Sequence, residues 1–317
     1  MARRILLIAR DMVGDLVNTT GVVGWLTERF PEDRFVLEGG PVAAELFPHL
    51  ETWTRERHPG AAGKLKRLLR YRGGKFDAAL ILDDSREKIR LAVLAGIPVV
   101  IGAARKHAPI GRATILPFDP HGHDLFPTLS AVAEAFTGES PSLAPILPVG
   151  TPHRERARAL VDEGTVVLHV GASDLAKRWP ETRWIELGRR IGRPAVAASG
   201  PGEEGLRDAV AQASGLPTLP TLAILEYAAA IERAGAIVTA DTGPAHLAGA
   251  TGTPAVILYG PTDPKRFHPW GDRWQALRHD LGCEHYGVGC QFKIDGVCSQ
   301  RCMSEITVDE VLGALAP

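Results

Sequence analysis

Short apolar runs without internal alternation recur along the first half of the chain, and segments with apolar residues at helical spacing separate them. A strand covered by helices on both faces lacks the alternation of apolar and polar residues that a half-exposed strand shows. We therefore predict that these runs form a parallel sheet. The predicted strands are Arg4–Ala9, Arg34–Leu37, Phe76–Leu82 and Pro98–Ile101, and the predicted helices include Leu16–Phe30 and a segment with Ile89, Leu91, Val93 and Leu94.

The second half of the chain repeats this pattern. Alternating strand and helix signals are typical of an α/β fold with a parallel sheet. We predict strands at Thr165–Val170, Pro194–Ala198, Ala236–Thr239 and Ala255–Tyr259, and helices at Arg154–Glu163, Trp184–Ile191, Glu203–Ala213 and Leu222–Ala234. The expected fold class is α/β, with two Rossmann-like doubly wound domains that face each other across a cleft.

A proline-rich segment interrupts the alternation between Gly138 and Pro152. It has neither a helical nor a strand period, which is typical of a linker. The length of 317 residues also fits two domains of about 150 residues each. We predict one domain at residues 1–145 and a second at 146–317, the latter ending in a cysteine-containing segment.

The composition narrows the class of protein only slightly. A formal net charge of −1 gives no reason to expect a nucleic-acid partner. No apolar run reaches the ~18 residues of a membrane-spanning helix. The first apolar run ends at Arg10 and is too short for the core of a signal peptide. We therefore expect a cytoplasmic protein.

Candidate ligand-binding residues follow the predicted strands of the second half, where ligands of open α/β sheets bind. Asp241, Thr242 and Gly243 follow one strand, and Pro244 opens a helix of small residues that includes His246. The free amides and the positive end of the helix dipole would hold a pyrophosphate there. The alternatives are an ordinary strand-to-helix turn and a buried, hydrogen-bonded histidine.

Two further loops of the second half could meet the same ligand. Lys177 and Arg178 follow another strand and could clamp a phosphate; a solvated pair is the alternative. Ser199 begins a glycine-rich turn that would let a nucleotide approach the backbone, and Glu203 would contact a ribose or simply start a helix. This turn has the spacing of neither a dinucleotide fingerprint nor a P-loop.

In the first half, Asp15 follows Gly14 at the mouth of the first helix. A helix N-terminus stabilises a carboxylate there, so Asp15 is either a catalytic candidate on the cleft or a first-turn acid without a chemical role. Further on, Lys64, Lys66, Arg67 and Arg70 alternate with leucines. We expect a basic amphipathic helix that meets anionic lipid or a phosphorylated acceptor, with a solvated helix face as the alternative.

The cysteines form one local group near the end of the sequence: Cys283, Cys290, Cys298 and Cys302. Four thiolates could hold structural zinc or iron, although such sites usually contain a closer pair of cysteines than this spacing provides. Free buried thiols are the alternative, because disulfides are less stable in a reducing cytoplasm. A catalytic metal is not expected, because the group lies beyond the loops of the predicted cleft.

Five segments together resemble the lipopolysaccharide heptosyltransferases of glycosyltransferase family 9, and the resemblance runs over nearly the whole chain. They are ILLIARDMVGDLVNTT (5–20), HVGASDLAKRWPETRW (169–184), DTGPAHLAGA (241–250), YGPTDPKRFHPWG (259–271) and CMSEITVDEV (302–311). The resemblance implies the GT-B fold and an inverting transfer of a sugar, typically from ADP-heptose, to a lipopolysaccharide-core acceptor. The enzyme would need no catalytic cofactor and would work at the inner face of the cytoplasmic membrane.

The resemblance also implies residue roles. Asp15 would be the general base that takes the proton of the acceptor hydroxyl, and Lys177 would bind the diphosphate of the donor. Asp241, Thr242 and Gly243 would border the sugar and the pyrophosphate. The first domain would bind the acceptor and the second the donor, with closure about the hinge.

The chain departs from the family at Gly21, where proline is frequent, and at Asp11 and Met12, where small hydroxyl residues are frequent. The second departure bears on the acceptor side. Two alternatives therefore stay open: a relative that uses another nucleotide-sugar and acceptor, and a nucleotide-sugar-binding protein without transferase activity. The absence of Asp15 or Lys177 would favour the latter, and both residues are present.

Overall fold

The computed structural model describes residues 2–55, 60–104, 108–118, 125–282, 290, 298 and 300–316. Within it the chain divides into two compact units, Met1–Pro148 and Val149–Pro317. The division lies close to the predicted boundary after residue 145.

In the described part of unit 1, six strands form one parallel sheet in the order β3-β2-β1-β4-β5-β6. The strands are β1 (Arg4–Ile8), β2 (Arg34–Gly39), β3 (Glu51–Thr54), β4 (Ala78–Ile81), β5 (Val99–Ala104) and β6 (Thr114–Pro117). The strand order reverses between β1 and β4, which is where a crevice opens at the carboxyl edge of such a sheet.

The helices of unit 1 are α1 (Val13–Arg29), α2 (Ala43–Leu46), α3 (Ala61–Gly73), α4 (Arg86–Leu94) and α5 (Leu125–Thr137). They bury the sheet so completely that residues 5–8 of β1 are inaccessible to solvent. This burial confirms the prediction drawn from the apolar runs. Helix α1 starts before the predicted Leu16, because Val13, Gly14 and Asp15 already form its first turn behind Met12.

In the described part of unit 2, five strands form a second parallel sheet in the order β8-β7-β9-β10-β11. The strands are β7 (Val166–His169), β8 (Ala195–Ala198), β9 (Ala236–Ala240), β10 (Ala255–Leu258) and β11 (Trp274–Leu277). The order reverses between β7 and β9. The helices are α6 (Thr151–Arg158), α7 (Glu181–Arg190), α8 (Glu204–Ser214), α9 (Ile224–Arg233), α10 (Gly243–Thr251), α11 (Pro264–Phe267), α12 (Arg301–Ser304) and α13 (Val308–Leu315), with a short 3₁₀ helix at Leu175–Lys177.

The core of unit 2 fixes the segment that carries Lys177. Trp179 and Trp184 are buried and meet edge to face, with ring centroids 4.9 Å apart. The indole Nε1 of Trp179 donates to the backbone oxygen of Ile306 at 3.0 Å. Two buried tryptophans therefore tie the loop after β7 to the region just before α13.

The predicted linker has no helix or strand over residues 138–150, all of which are described, and α6 begins at Thr151. Part of this segment packs on α1. A Cβ atom on Gly21 would lie 2.4 Å from the carbonyl oxygen of Ala144, and the amide of Ile146 donates to Thr20 Oγ1 at 2.9 Å. Any residue with a Cβ atom, proline included, would overlap this segment at position 21.

Among the helices that the structure describes, none is both long and apolar enough to cross a membrane.

Candidate active site

Asp15 lies in the first turn of α1, directly after the carboxyl end of β1. Its side chain is mostly buried, and Arg10 Nη1 lies 3.7 Å from its Oδ2 atom. The N-cap of this helix is Met12, which supplies no side-chain hydrogen bond within the described structure. The carboxylate of Asp15 therefore complements the positive end of the α1 dipole.

Arg10 joins the ends of β1 and β4. Its Nη2 atom donates to Asp84 Oδ1 at 2.8 Å. Burial lowers the pKa of Arg10, but the charges of Asp15, Asp84 and Asp83 outweigh burial, so the pKa is raised above its ordinary value. The guanidinium is a permanent positive charge at this edge of the sheet.

A largely buried arginine side chain, that of Arg55, holds the loop that leads from β1 to Asp15. Arg55 donates to Glu38 Oε1 at 2.8 Å, to Asp11 Oδ1 at 2.7 Å and to the backbone oxygen of Ala9 at 2.9 Å. Asp11, a departure from the family pattern, is thus a partner of Arg55. A Cβ atom on Gly40 would lie 2.2 Å from the Asp11 carbonyl oxygen, so the loop needs glycine there.

Lys88 supports the same loop from α4. Its ammonium donates to the backbone oxygen of Ala9 at 2.9 Å and pairs with the carboxylate of Asp83. Sequence reasoning missed Arg10, Arg55 and Lys88. The signal available in the sequence was the acidic pair Asp83 and Asp84 directly after a buried strand.

In unit 2 the structure brings Lys177 and Asp241 together from the loops after β7 and β9. Lys177 Nζ donates to Asp241 Oδ2 at 2.6 Å and to its backbone oxygen at 3.0 Å. The same ammonium lies 5.6 Å from the centroid of the Phe267 ring. Asp241 is buried, whereas Lys177 keeps about a fifth of its side chain exposed, so the cation is accessible at the reversal point of the sheet.

Helix α10 begins beside this pair. Thr242 is its N-cap, but Thr242 Oγ1 bonds back to the Ala240 carbonyl at 3.2 Å and makes no cap bond in the described structure. Gly243 and Pro244 form the first turn. The amides and the positive dipole end of α10 are therefore oriented to stabilise an anion.

His246 lies in α10 and is buried, yet its Nδ1 atom has no hydrogen-bond partner among the described residues. Burial lowers the pKa of His246 to about 4, so the imidazole is neutral near pH 7. His169, at the end of β7, offers a contrast: it is equally buried, but its Nδ1 atom bonds to Tyr227 Oη at 2.8 Å. Among the described residues, the Nδ1 atom of His246 thus lacks the partner that a hydrogen-bonded core histidine would have.

The carboxylate of Glu203 packs against two turns that contain glycine, one at Gly171 and one at Gly200. A Cβ atom on Gly171 would lie 2.1 Å from Glu203 Oε2, and one on Gly200 would lie 3.2 Å from it. Arg178 donates to Glu203 Oε1 at 3.0 Å and to the Ala172 carbonyl at 2.8 Å. Arg178 is therefore an internal partner of Glu203.

Ser199, at the start of the turn after β8, has a buried Oγ atom without a hydrogen-bond partner among the described residues. Burying a hydroxyl without a hydrogen bond is unfavourable. The unsatisfied group lies in the glycine-rich turn that Glu203 closes.

The predicted basic helix is α3. A pocket lies against it and is lined by Glu38, Thr54, Arg55, Gly63, Lys66, Arg67 and Arg70. Lys64 pairs with Glu87 at 2.7 Å. The other side of α3 exposes Leu65 and Leu69, whose exposed fractions are 56% and 57%. One helix thus combines a cationic pocket with exposed leucines.

The structure describes three of the four cysteines that were predicted as a possible metal site. Cys290, Cys298 and Cys302 are partly exposed, and Cys283 lies outside the described residues. Within the described ranges, no group of three or more His, Cys, Asp or Glu side chains is placed to hold a metal ion.

The chain has identifiable relatives. Lipopolysaccharide heptosyltransferase 1 of Salmonella typhimurium is 32% identical over 124 residues, which is 38% of this chain and 39% of the relative. The match thus spans well under two thirds of that protein. A model of glycosyltransferase family 9 (heptosyltransferase) matches residues 63–292.

Two solved structures share the fold along almost the whole chain. The family 9 glycosyl transferase from Veillonella parvula DSM 2008 superposes with a TM-score of 0.77 at 21% identity, covering 98% of this chain and 96% of its own. E. coli ADP-heptose lps heptosyltransferase II gives a TM-score of 0.74 at 20% identity, with coverages of 98% and 97%. They confirm the predicted GT-B type of fold, and because the family model matches most of the chain, the protein belongs to glycosyltransferase family 9.

Proposed function

We propose that this protein transfers a heptose from ADP-heptose to a lipopolysaccharide-core acceptor, with inversion at the anomeric carbon. The observation that carries the proposal is the contact of Lys177 with Asp241 at the N-terminus of α10, in a member of this family. A lysine, a helix N-terminus and a glycine-rich turn at one sheet edge suit the diphosphate of a nucleotide-sugar.

On the donor side, Lys177 and α10 stabilise the leaving diphosphate. An ammonium has three N–H donors, and Asp241 accepts from two of them, so one donor can reach a phosphate oxygen. The amides after Thr242 add the helix dipole. His246 and Ser199 supply buried polar groups for the sugar or nucleotide, and Glu203 binds the ribose.

On the acceptor side, Asp15 is the general base. The acceptor oxygen attacks the anomeric carbon from the face opposite the diphosphate, and Asp15 takes the hydroxyl proton. The bond from the anomeric carbon to the diphosphate oxygen breaks, and its electron pair leaves with ADP. A single displacement of this kind inverts the anomeric centre.

The two units divide these tasks, with the acceptor on unit 1 and the donor on unit 2. The cationic pocket of Lys66, Arg67 and Arg70 binds an anionic group of the acceptor. Lys64 and the exposed Leu65 belong to the face through which α3 contacts the inner surface of the cytoplasmic membrane. Charged side chains around exposed leucines are typical of a helix that lies at a lipid interface.

A second candidate is a family relative with another nucleotide-sugar and acceptor. It is favoured by Asp11, which stands in the loop before Asp15 where small hydroxyl residues are frequent in the family, and which pairs with Arg55. A structural metal at the cysteines would be compatible with either candidate, and metal analysis of the purified protein tests it: less than half an equivalent of zinc or iron would indicate free thiols.

The decisive experiment is a donor screen. ADP-heptose is compared with UDP-, GDP- and ADP-hexoses in the presence of a lipopolysaccharide-core acceptor, and nucleotide release and product are detected by mass spectrometry. We expect release of ADP from ADP-heptose and a heptosylated product. Efficient transfer from another donor would contradict the donor assignment in favour of the second candidate.

The base is tested separately with Asp15→Asn. The variant should lose transfer while it still binds ADP, because Asp15 lies in unit 1 and the diphosphate is assigned to unit 2. Wild-type turnover in the variant would show that the base assignment is wrong.

A further inference from the structure

Arg10 is a cation beside the proposed base that the proposed reaction does not use. Its guanidinium lies between two carboxylates, 2.8 Å from Asp84 Oδ1 and 3.7 Å from Asp15 Oδ2. We infer that Arg10, anchored on Asp84, is a positioning residue that keeps the Asp15 carboxylate ionised and fixed in the first turn of α1. The inference rests on the proposed function, in which Asp15 is the general base.

The two distances have different consequences. At 2.8 Å Arg10 donates a hydrogen bond to Asp84, which fixes the guanidinium. At 3.7 Å it is beyond hydrogen-bond distance of Asp15, so it acts on that carboxylate through charge. Because Arg10 acts without a hydrogen bond to Asp15, it does not itself block that carboxylate from accepting the proton of an acceptor hydroxyl. Arginine does not lose its own proton at working pH, so it does not compete as an acid.

Other charges lie close to Arg10 in the described structure. Two of the described cations on neighbouring elements already have carboxylate partners. Arg55 bonds to Glu38 and Asp11, and Lys88 pairs with Asp83. Among the described residues, Asp15, Asp83 and Asp84 act directly on Arg10. Ion pairs on the neighbouring elements involve Asp11, Glu38, Arg55, Arg67 and Lys88. Replacing Arg10 by a neutral residue removes an opposite charge 3.7 Å from the Asp15 carboxylate, which favours its protonated form.

The primary test measures the protonation of Asp15 without any substrate. Protein labelled with ¹³C at the aspartate carboxyl carbons is titrated by NMR, and the resonance of Asp15 is assigned by its loss in Asp15→Asn. We expect Arg10→Gln to raise the midpoint by about one pH unit or more, because an opposite charge at this distance is removed. Arg10→Lys should restore most of the wild-type midpoint.

The Asp84→Asn variant should shift the titration midpoint of Asp15 in the opposite direction. It removes a like charge and releases the guanidinium toward Asp15, so the midpoint of Asp15 should fall. Arg4→Gln is the matched control: Arg4 lies at the other end of β1 and pairs with Glu51, so the midpoint should not change. If Arg10→Gln leaves the midpoint within about 0.3 pH units of wild type, or if Asp84→Asn raises it, the inference is wrong.

A kinetic readout separates positioning from a merely structural role. The acid limb of the pH profile of kcat/KM should move in the same direction as the NMR midpoint in each variant. Lower activity with an unmoved acid limb would mean that Arg10 serves only the fold. Because the titration needs no substrate, its result is independent of the donor screen and of the turnover of Asp15→Asn, which test the proposed function itself.

Discussion

At the level of single residues, short contacts between distant loops determine the candidate site. Asp241 fixes the ammonium of Lys177 with one side-chain oxygen and one backbone oxygen. His169 Nδ1 has a hydrogen-bond partner, whereas Nδ1 of His246, which is also buried, has none among the described residues. An unsatisfied buried group is costly, so a bound ligand that supplies the missing partner would stabilise unit 2.

The role of Lys177 can be measured with ADP alone. Lys177→Ala should raise the Kd for ADP by roughly tenfold to a hundredfold, because a charged hydrogen bond to phosphate contributes about 1.5–3 kcal/mol. Isothermal titration calorimetry gives the affinity. Arg189→Ala, which removes a cation on the exposed face of α7, is the control and should bind ADP like wild type. Unchanged affinity in Lys177→Ala would contradict the diphosphate role.

Gly171 tests the packing of Glu203. Gly171→Ala places a methyl group about 2.1 Å from the carboxylate, and the overlap should lower the free energy of unfolding by about 1–3 kcal/mol. The double variant Gly171→Ala/Glu203→Ala should recover part of that loss in thermal unfolding, since the two sites interact directly.

Gly205→Ala is the matched control in α8. No described atom lies within 4 Å of a Cβ atom there, so the change should be neutral or stabilise the helix by up to about 1 kcal/mol. Equal effects at positions 171 and 205 would mean that Glu203 does not occupy the space beside Gly171.

At the level of elements, burial explains which strands could be predicted. β1, β4, β7 and β10 are buried on both faces and appear in the sequence as apolar runs. β3, β6 and β11 are half-exposed strands of four residues without such a run, so the same criterion missed them. Helix boundaries were off by a few residues, because the first turn of a helix need not be apolar.

Helix α1 offers a matched pair of glycines. Gly21→Ala should destabilise the protein by about 1–3 kcal/mol, because the new methyl group meets the backbone of residues 143 and 144, which cannot rotate away. Gly24→Ala meets only the end of the Ile146 side chain, at 3.4 Å, and gains helix propensity. Chemical denaturation of both variants measures the difference. Equal stabilities would show that the segment 143–146 is not held against α1.

The exposed leucines of helix α3 lead to a prediction about membrane binding. Leu65→Ser/Leu69→Ser should weaken binding to vesicles that contain anionic phosphatidylglycerol by about tenfold, because two exposed apolar side chains are lost. Leu94→Ser, an equally exposed leucine on α4, is the control. Sedimentation with vesicles at low and high salt measures binding, and undiminished binding of the double variant would exclude the leucine face as the contact.

At the level of the whole molecule, each unit has its own core, and that of unit 2 contains two buried histidines. His169 and His246 both belong to unit 2, and burial lowers the pKa of each to about 4 from an ordinary 6.5. The unfolded chain therefore binds more protons between these values. The contribution of the two neutral histidines to the free energy of unfolding is fully present above pH 6.5 and is lost as the pH falls toward 4.

Between pH 6.5 and 5 this loss should amount to about 2 kcal/mol per histidine. Chemical denaturation across that range measures it. Replacement of His246 by Gln should roughly halve the dependence, whereas His49→Gln, which changes an exposed histidine, should leave it unaltered. A stability that does not vary with pH in this window would contradict the buried neutral state.

Only part of the candidate site could be predicted from the sequence. Lys177 and Asp241 follow buried strands, and the order of a parallel sheet brings such loops together. The contacts of Arg10 with Asp84 and of Arg55 with Glu38 depend on side-chain directions that no local pattern encodes. Sequence could indicate a charged edge in unit 1, but not which cation meets which carboxylate.

The hydrogen bond from Trp179 to Ile306 also affects the order in which the protein can fold during synthesis. The core of unit 2 includes Met303, Ile306, Val308 and Val311, which the ribosome adds long after Lys177. Domains tend to fold as units, the N-terminal one first. Unit 1 can complete its core while translation continues, whereas the loop that carries Lys177 must wait until residues 303–311 have emerged.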